Sequence, residues 1–116
     1  MESIDKYLEE SSRVARKQLD LKDSFLQIAE EVYERVSKGG TVFFCGNGGS
    51  AADSQHLAAE LLIRLRPKNN RAGLPAIALA QDTSTITACG NDFGFEKLYE
   101  RTVQSLGKKG DALIGI

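Results

Sequence analysis

A five-residue apolar run, Thr41-Val42-Phe43-Phe44-Cys45, stops at Gly46-Asn47-Gly48-Gly49 and passes straight into Ser50-Ala51-Ala52-Asp53. A run that is apolar at nearly every position suits a strand covered on both faces, the condition of a parallel sheet. The glycines permit positive φ and close backbone approach. Strand, glycine turn and helix in succession form the unit from which α/β proteins build anion sites. Free N–H groups and the positive end of a helix dipole converge at such a turn. The pattern is neither Walker A, which needs Gly-Lys-Ser/Thr, nor the dinucleotide Gly-x-Gly-x-x-Gly. A helix cap explains part of it: Ser50 and Asp53 fit a capping box with Asp in place of Glu. A cap hydroxyl can also donate to a phosphate oxygen, so both readings stand.

The rest of the chain alternates helices with strands. Ile4, Tyr7, Leu8, Val14 and Ala15 follow helical spacing, and Phe25, Ile28, Ala29, Val32 and Val36 do so more strictly. Asp20 to Ser24 reads as a break with Asp23 or Ser24 as a cap. Gly39-Gly40 ends the second helix. The third helix runs from Ser50 or Ala51 to about Leu65, and Pro67 stops it. Leu74 to Ala80 is the second strand, and Asp82-Thr83-Ser84 caps a short helix through Ala88. Gly90-Asn91-Asp92 is a turn, Phe95 to Leu106 is helical, and Asp111 to Ile116 opens a third strand. Alternation of this kind predicts right-handed crossovers and a parallel sheet. A sheet ending on such a strand leaves an edge and a face bare, so the chain is expected to be part of a longer protein. Expressed alone, it is expected to associate through the edge near Leu113 to Ile116.

His56 and Glu60 lie four residues apart, hence on one helix face, and Arg64 continues that face. Leu57, Leu61 and Leu65 run beside it and are expected to face the core. The face reads equally as a solvated Glu–Arg pair with a bystander histidine. On the functional reading Glu60 is a base and His56 a metal ligand or proton carrier. His56 is the only histidine, so a second one must lie outside these residues. Asp82 and Thr83 follow the second strand, where open α/β sheets bind ligands, although helix capping explains them as well. Cys45 and Cys89 read as small packed residues.

Fifteen Lys and Arg balance sixteen Asp and Glu, for a net charge of −1. No basic stripe suited to nucleic acid is present. The basic stretch from Arg64 to Arg71 suits a helix C-terminus and the loop after it. No apolar run is long enough for a bilayer, and no cysteine pattern suggests disulfides, so a cytoplasmic setting is expected.

The segment Gly46 to Leu61 closely resembles the signature of the phosphoheptose isomerases, within the sugar isomerase (SIS) domain superfamily. Leu74 to Leu79, Gly90 to Phe95 and Gly107 to Ile116 look like the next blocks of that family, in the same order. The resemblance implies a flavodoxin-like three-layer α/β/α fold around a parallel sheet. It divides the chain into N-terminal oligomerisation helices (1–38) and the first part of a SIS domain (39–116). It implies conversion of sedoheptulose 7-phosphate to D-glycero-D-manno-heptose 7-phosphate, for lipopolysaccharide or other surface glycans, by a homotetramer. Ser50 would bind the phosphate, with Asn47, Gly48 and Gly49 lining the same site. Glu60 would shuttle the proton between C1 and C2. His56 would ligate zinc where members carry it, with Glu60 close to the same ion. Arg64, Asp82, Thr83, Asn91 and Asp92 would line the sugar pocket.

The chain stops before the family's Ser/Thr-rich phosphate loop and the later helix bearing its second catalytic histidine. These residues are therefore expected to be inactive alone. Two alternatives lie in the same superfamily. One is a non-catalytic regulator that binds a replication initiator, in which the Glu60 position is not acidic. The other is a sugar-phosphate sensor, which usually carries a DNA-binding module.

Overall fold

A computed structural model describes residues 3–79 and 82–116. The chain divides into two compact units, residues up to Glu31 and Val32 to Ile116.

In the first unit, helix α1 (Ile4–Lys17) is capped by Ser3, whose hydroxyl accepts from the Lys6 N–H. A 3-10 turn (Gln18–Leu21) leads into α2 (Lys22–Ser37). The expected break at Asp20 to Ser24 is thus a tightened turn centred earlier. Asp23 and Ser24 lie inside α2 rather than at its cap. None of the described α1 residues is buried, and Ile4, Tyr7, Leu8, Leu19 and Phe25 are all more than half exposed. Helices of this length are stable mainly when their apolar face is covered.

The last turn of α2 belongs to the second unit. It closes as a Schellman motif: Gly39 (φ 88°) donates to Val36 and Gly40 donates to Arg35. The Gly-Gly stop read from the sequence is therefore real. Three strands follow, β1 (Val42–Cys45), β2 (Ala76–Ala78) and β3 (Ala112–Gly115), all parallel in the order β2-β1-β3. The end of the second strand as read from the sequence, Ala80, lies outside the described residues. Between the strands run α3 (Gly49–Ala59), a π-helical turn (Glu60–Arg64), α4 (Thr83–Asp92), a 3-10 turn (Phe95–Lys97) and α5 (Leu98–Leu106).

The apolar β1 run is central because its residues are buried on both faces. Val42 and Phe44 share a core with Ala58, Ala76 and Ala78, and Val32, Val36, Leu61 and Ile114 pack against it. Phe43 points to the other face and is also buried, while its neighbours across the sheet, Ile77 and Leu113, are 37% and 53% exposed. Helix α3 meets the sheet through small residues, with Ser54 and Ala58 buried. Leu57 and Leu65, expected in the core, are exposed, and only Leu61 of that leucine series packs there. Small side chains let the helix sit close to the strands, and this turns the larger leucines sideways.

Asp111 fastens the sheet at its base. Its carboxylate accepts from the Thr41 N–H at 2.8 Å and from the Lys108 N–H at 2.6 Å. These bonds, Thr41 first and then Lys108, hold the Asp111 carboxyl below its usual range. A folded-state pKa below the unfolded value of about 3.9 stabilises the fold above that pH. The contribution is lost as pH falls through the folded pKa. Asp111→Asn is therefore expected to melt below the wild type at pH 7. Thermal midpoints followed from pH 7 to pH 2 should bring the two proteins together below about pH 4.

Candidate active site

The glycine turn leaves the end of β1 in a conformation that requires glycine at two points. Gly48 adopts φ 57°, ψ −120°, which L side chains rarely reach. At Gly46 a Cβ would lie 2.6 Å from the Ser50 Cβ and 2.7 Å from the Ser50 carbonyl oxygen, so the turn folds directly onto the first turn of α3.

Ser50, Ala51 and Ala52 donate back to the carbonyls of Asn47 and Gly48. The helix thus starts one residue before Ser50, with Gly48 at the cap and no side-chain cap bond. This corrects the capping-box reading. Ser50 sits within the first turn, half-buried, and its hydroxyl has no partner among the described residues. A free hydroxyl, exposed glycine backbone and a helix N-terminus together make an arrangement that favours an anion.

One turn support was not legible from periodicity. Tyr99, in α5, donates its hydroxyl proton to the Gly46 carbonyl and lies 3.1 Å from Asn47 Oδ1. The phenol has one proton. The Asn47 amide, turned over, offers its NH2 to the phenol oxygen, so both contacts are satisfied. Helical spacing marks Tyr99 as a residue of an apolar face and carries no sign of a loop some fifty positions away.

His56 and Glu60 do share a face. His56 Nε2 lies 3.0 Å from Glu60 Oε1, with the imidazole 71% exposed and the carboxylate 28%. Arg64 does not join them; its guanidinium donates to the Pro67 carbonyl at 3.2 Å. The cause is the π turn, which takes one more residue per turn and carries Arg64 off the His56–Glu60 line. The solvated Glu–Arg pair is therefore replaced by a His–Glu pair. Single π turns inside α-helices occur frequently at functional sites.

The remaining candidates have local partners. Asp82 caps α4, accepting from the Thr85 N–H at 2.7 Å, and that bond lowers its carboxyl pKa. Thr83 is the first residue of the helix. Asn91 and Asp92 lie in the last turn of α4 rather than in a free turn, and the Asn91 amide donates to Asp92 at 2.8 Å. The chain reverses later, at Gly94 (φ 91°). Asp92 also borders an open groove between α4 and α5, where Arg101 stacks on Phe93 at 3.7 Å. Among the described residues no hydrogen bond joins Asp82, Asn91 or Asp92 to the glycine turn or to Glu60. Cys45 and Cys89 are free, and burial pushes the Cys45 thiol up, in keeping with packed rather than reactive residues.

His56 and Glu60 could give a metal ion one imidazole nitrogen and one carboxylate oxygen. No group of three or more His, Cys, Asp or Glu able to hold one exists among the described residues. Zinc sites use at least three protein ligands, so these two do not form a centre by themselves.

A family profile described as SIS domain matches residues 6–116. The phosphoheptose isomerase of Paramagnetospirillum magneticum is 49% identical over 96 residues, which is 83% of this chain and 49% of that protein. The phosphoheptose isomerase of Roseiflexus sp. is 55% identical over 89 residues, 77% of this chain and 44% of that one. The solved structure of phosphoheptose isomerase from Neisseria gonorrhoeae superposes with a TM-score of 0.86 at 38% identity, covering 97% of this chain and 57% of that one. This chain spans about half the length of the curated relatives it matches.

Proposed function

The chain belongs to the SIS domain family, and from that premise we propose that the protein containing it interconverts sedoheptulose 7-phosphate and D-glycero-D-manno-heptose 7-phosphate. The observation that carries this reading is the placement of a partly shielded carboxylate, Glu60, on the same helix whose first turn borders the glycine loop. Aldose–ketose isomerisation needs that combination: an anchor for the distal phosphate and a base for a carbon-bound proton.

In the proposed reaction the phosphate lies on the glycine turn against Ser50 and the N–H groups of Gly48 and Gly49, with Asn47 at its side. Glu60 takes the proton from the carbon beside the carbonyl, leaving an enediol(ate), exchanges it with solvent, and delivers a proton to the neighbouring carbon. His56, hydrogen-bonded to Glu60, steers the carboxylate and relays a proton to the substrate oxygens. Arg64, Asp82, Thr83, Asn91 and Asp92 are proposed to border the sugar. A zinc ion held by His56 and Glu60, completed by ligands outside these residues, would polarise the carbonyl.

We further propose a homotetramer built on the N-terminal helices (1–38), supported by their exposed apolar face. A cytoplasmic location is supported by two unpaired cysteines and by the absence, among the described residues, of any helix long and apolar enough to cross a membrane.

The test is turnover by the intact protein in D2O. Heptose 7-phosphate carrying solvent deuterium at one carbon is the expected result. Phosphate binding without turnover would identify a non-catalytic sugar-phosphate binder instead. Binding of a replication initiator without either would remove the isomerase reading altogether.

A further inference from the structure

We infer that Arg71 is a positioning residue for Glu60, acting through the backbone of the π turn. The inference rests on the reading of Glu60 as the base.

The last carbonyls of a helix have no partners within it, and a π turn disturbs the ladder further. Here those carbonyls are met by one short segment, Arg71 to Leu74. The Arg71 guanidinium donates to the Glu60 carbonyl at 2.9 Å and to the Leu61 carbonyl at 2.8 Å. It also donates to its neighbour Ala72 at 2.9 Å, which fixes the fork in place. The Leu74 N–H reaches the Leu61 carbonyl at 3.0 Å. At Gly73 a Cβ would stand 2.4 Å from the Leu62 carbonyl oxygen, so the segment lies directly on the helix end and needs glycine there.

Two successive carbonyls of the π turn, those of Glu60 and Leu61, are thus held from one side, and Gly73 packs closely against the third, that of Leu62. Glu60 is where the α-helical ladder, which carries its N–H to the His56 carbonyl, gives way to the π turn; without the Arg71 bonds the helix end is free to fray there and the carboxylate to leave its 3.0 Å contact with His56. Only a planar group with several fixed donors can bridge two adjacent carbonyls and a third oxygen; a lysine ammonium is a single point on a flexible stem. The positive charge also suits the negative end of the helix. Arg71 therefore fixes the direction of the Glu60 carboxylate without touching substrate.

The test compares Arg71→Lys, Arg71→Ala and Gly73→Ala with wild type in the intact protein, on sedoheptulose 7-phosphate, with folding checked by circular dichroism. Misdirection of a catalytic group is expected to lower kcat by about 10- to 100-fold while KM stays within about threefold. Gly73→Ala should do the same with all charges retained. Free guanidinium at millimolar concentration should restore part of the activity of Arg71→Ala, and free ammonium should not. A folded Arg71→Lys protein with kcat within twofold of wild type would overturn the inference. So would a rise in KM at constant kcat, which would place Arg71 in substrate binding. Activity retained by Glu60→Gln would instead strike the reading of Glu60, an outcome distinct from an Arg71 failure in a Glu60-dependent enzyme.

Discussion

Glu60→Gln is expected to reduce turnover of sedoheptulose 7-phosphate by about a thousandfold, equivalent to about 4 kcal/mol in the barrier. The amide keeps the size of the side chain and can still meet His56 Nε2 through its oxygen or nitrogen, but it cannot accept a carbon-bound proton. Because Glu60 lies at the start of the π turn and is partly exposed, the substitution removes no core contact. KM and the melting temperature should therefore change little. Steady-state kinetics with deuterium exchange check both halves. The variant should also stop exchanging the substrate proton with solvent, since loss of the base halts both reactions. Exchange that persists at the wild-type rate would assign the base to another residue.

The second large effect is expected at Gly46→Ala. The added methyl meets the Ser50 Cβ and backbone at 2.6 to 2.8 Å, where neither partner is a flexible side-chain end. Either the glycine turn or the first turn of α3 must move. Overpacking of this kind costs about 1–3 kcal/mol, and the shift displaces the Gly48 and Gly49 backbone and the Ser50 hydroxyl. Phosphate affinity should fall at least about tenfold, as several hydrogen bonds to a charged group are misaligned together. Calorimetric titration with inorganic phosphate and a urea melt measure the two effects separately. Full phosphate affinity in the variant would show that the anion does not lie on this turn.

Much of this site was legible in the residues because it is local. The apolar Val42 to Cys45, the glycines after it and the chain-stopping Gly39-Gly40 each act within a few positions, and the structure keeps all three. The His56–Glu60 pair was legible for the same reason, since four-residue spacing brings side chains together in α-helix. Arg64 was misread because helical spacing assumes a constant turn, and the π turn does not keep it. The start of α3 was misread by one residue, which changed Ser50 from a cap into a free hydroxyl. Arg71 was legible only as part of a basic stretch suited to a helix C-terminus, and Tyr99 and Gly73 carried no sign of their contacts. Each acts on backbone atoms of a distant or returning segment, and a carbonyl oxygen has no residue identity for a sequence pattern to register.

The order of the strands bears on how this chain is made. β1 lies between its two neighbours, yet Val42 pairs with Ala76 on one side and with Ala112 on the other, 34 and 70 positions later. At a synthesis rate of about 5–20 residues per second, the β3 side of Val42-Phe43-Phe44 waits about 4–14 s for its partner after leaving the ribosome's active centre. Throughout that interval the most apolar strand of the nascent chain has a free edge, open to other chains. Translation speed between residues 46 and 111 is therefore a determinant of yield for this protein, and slowing the ribosome there should raise the aggregated fraction.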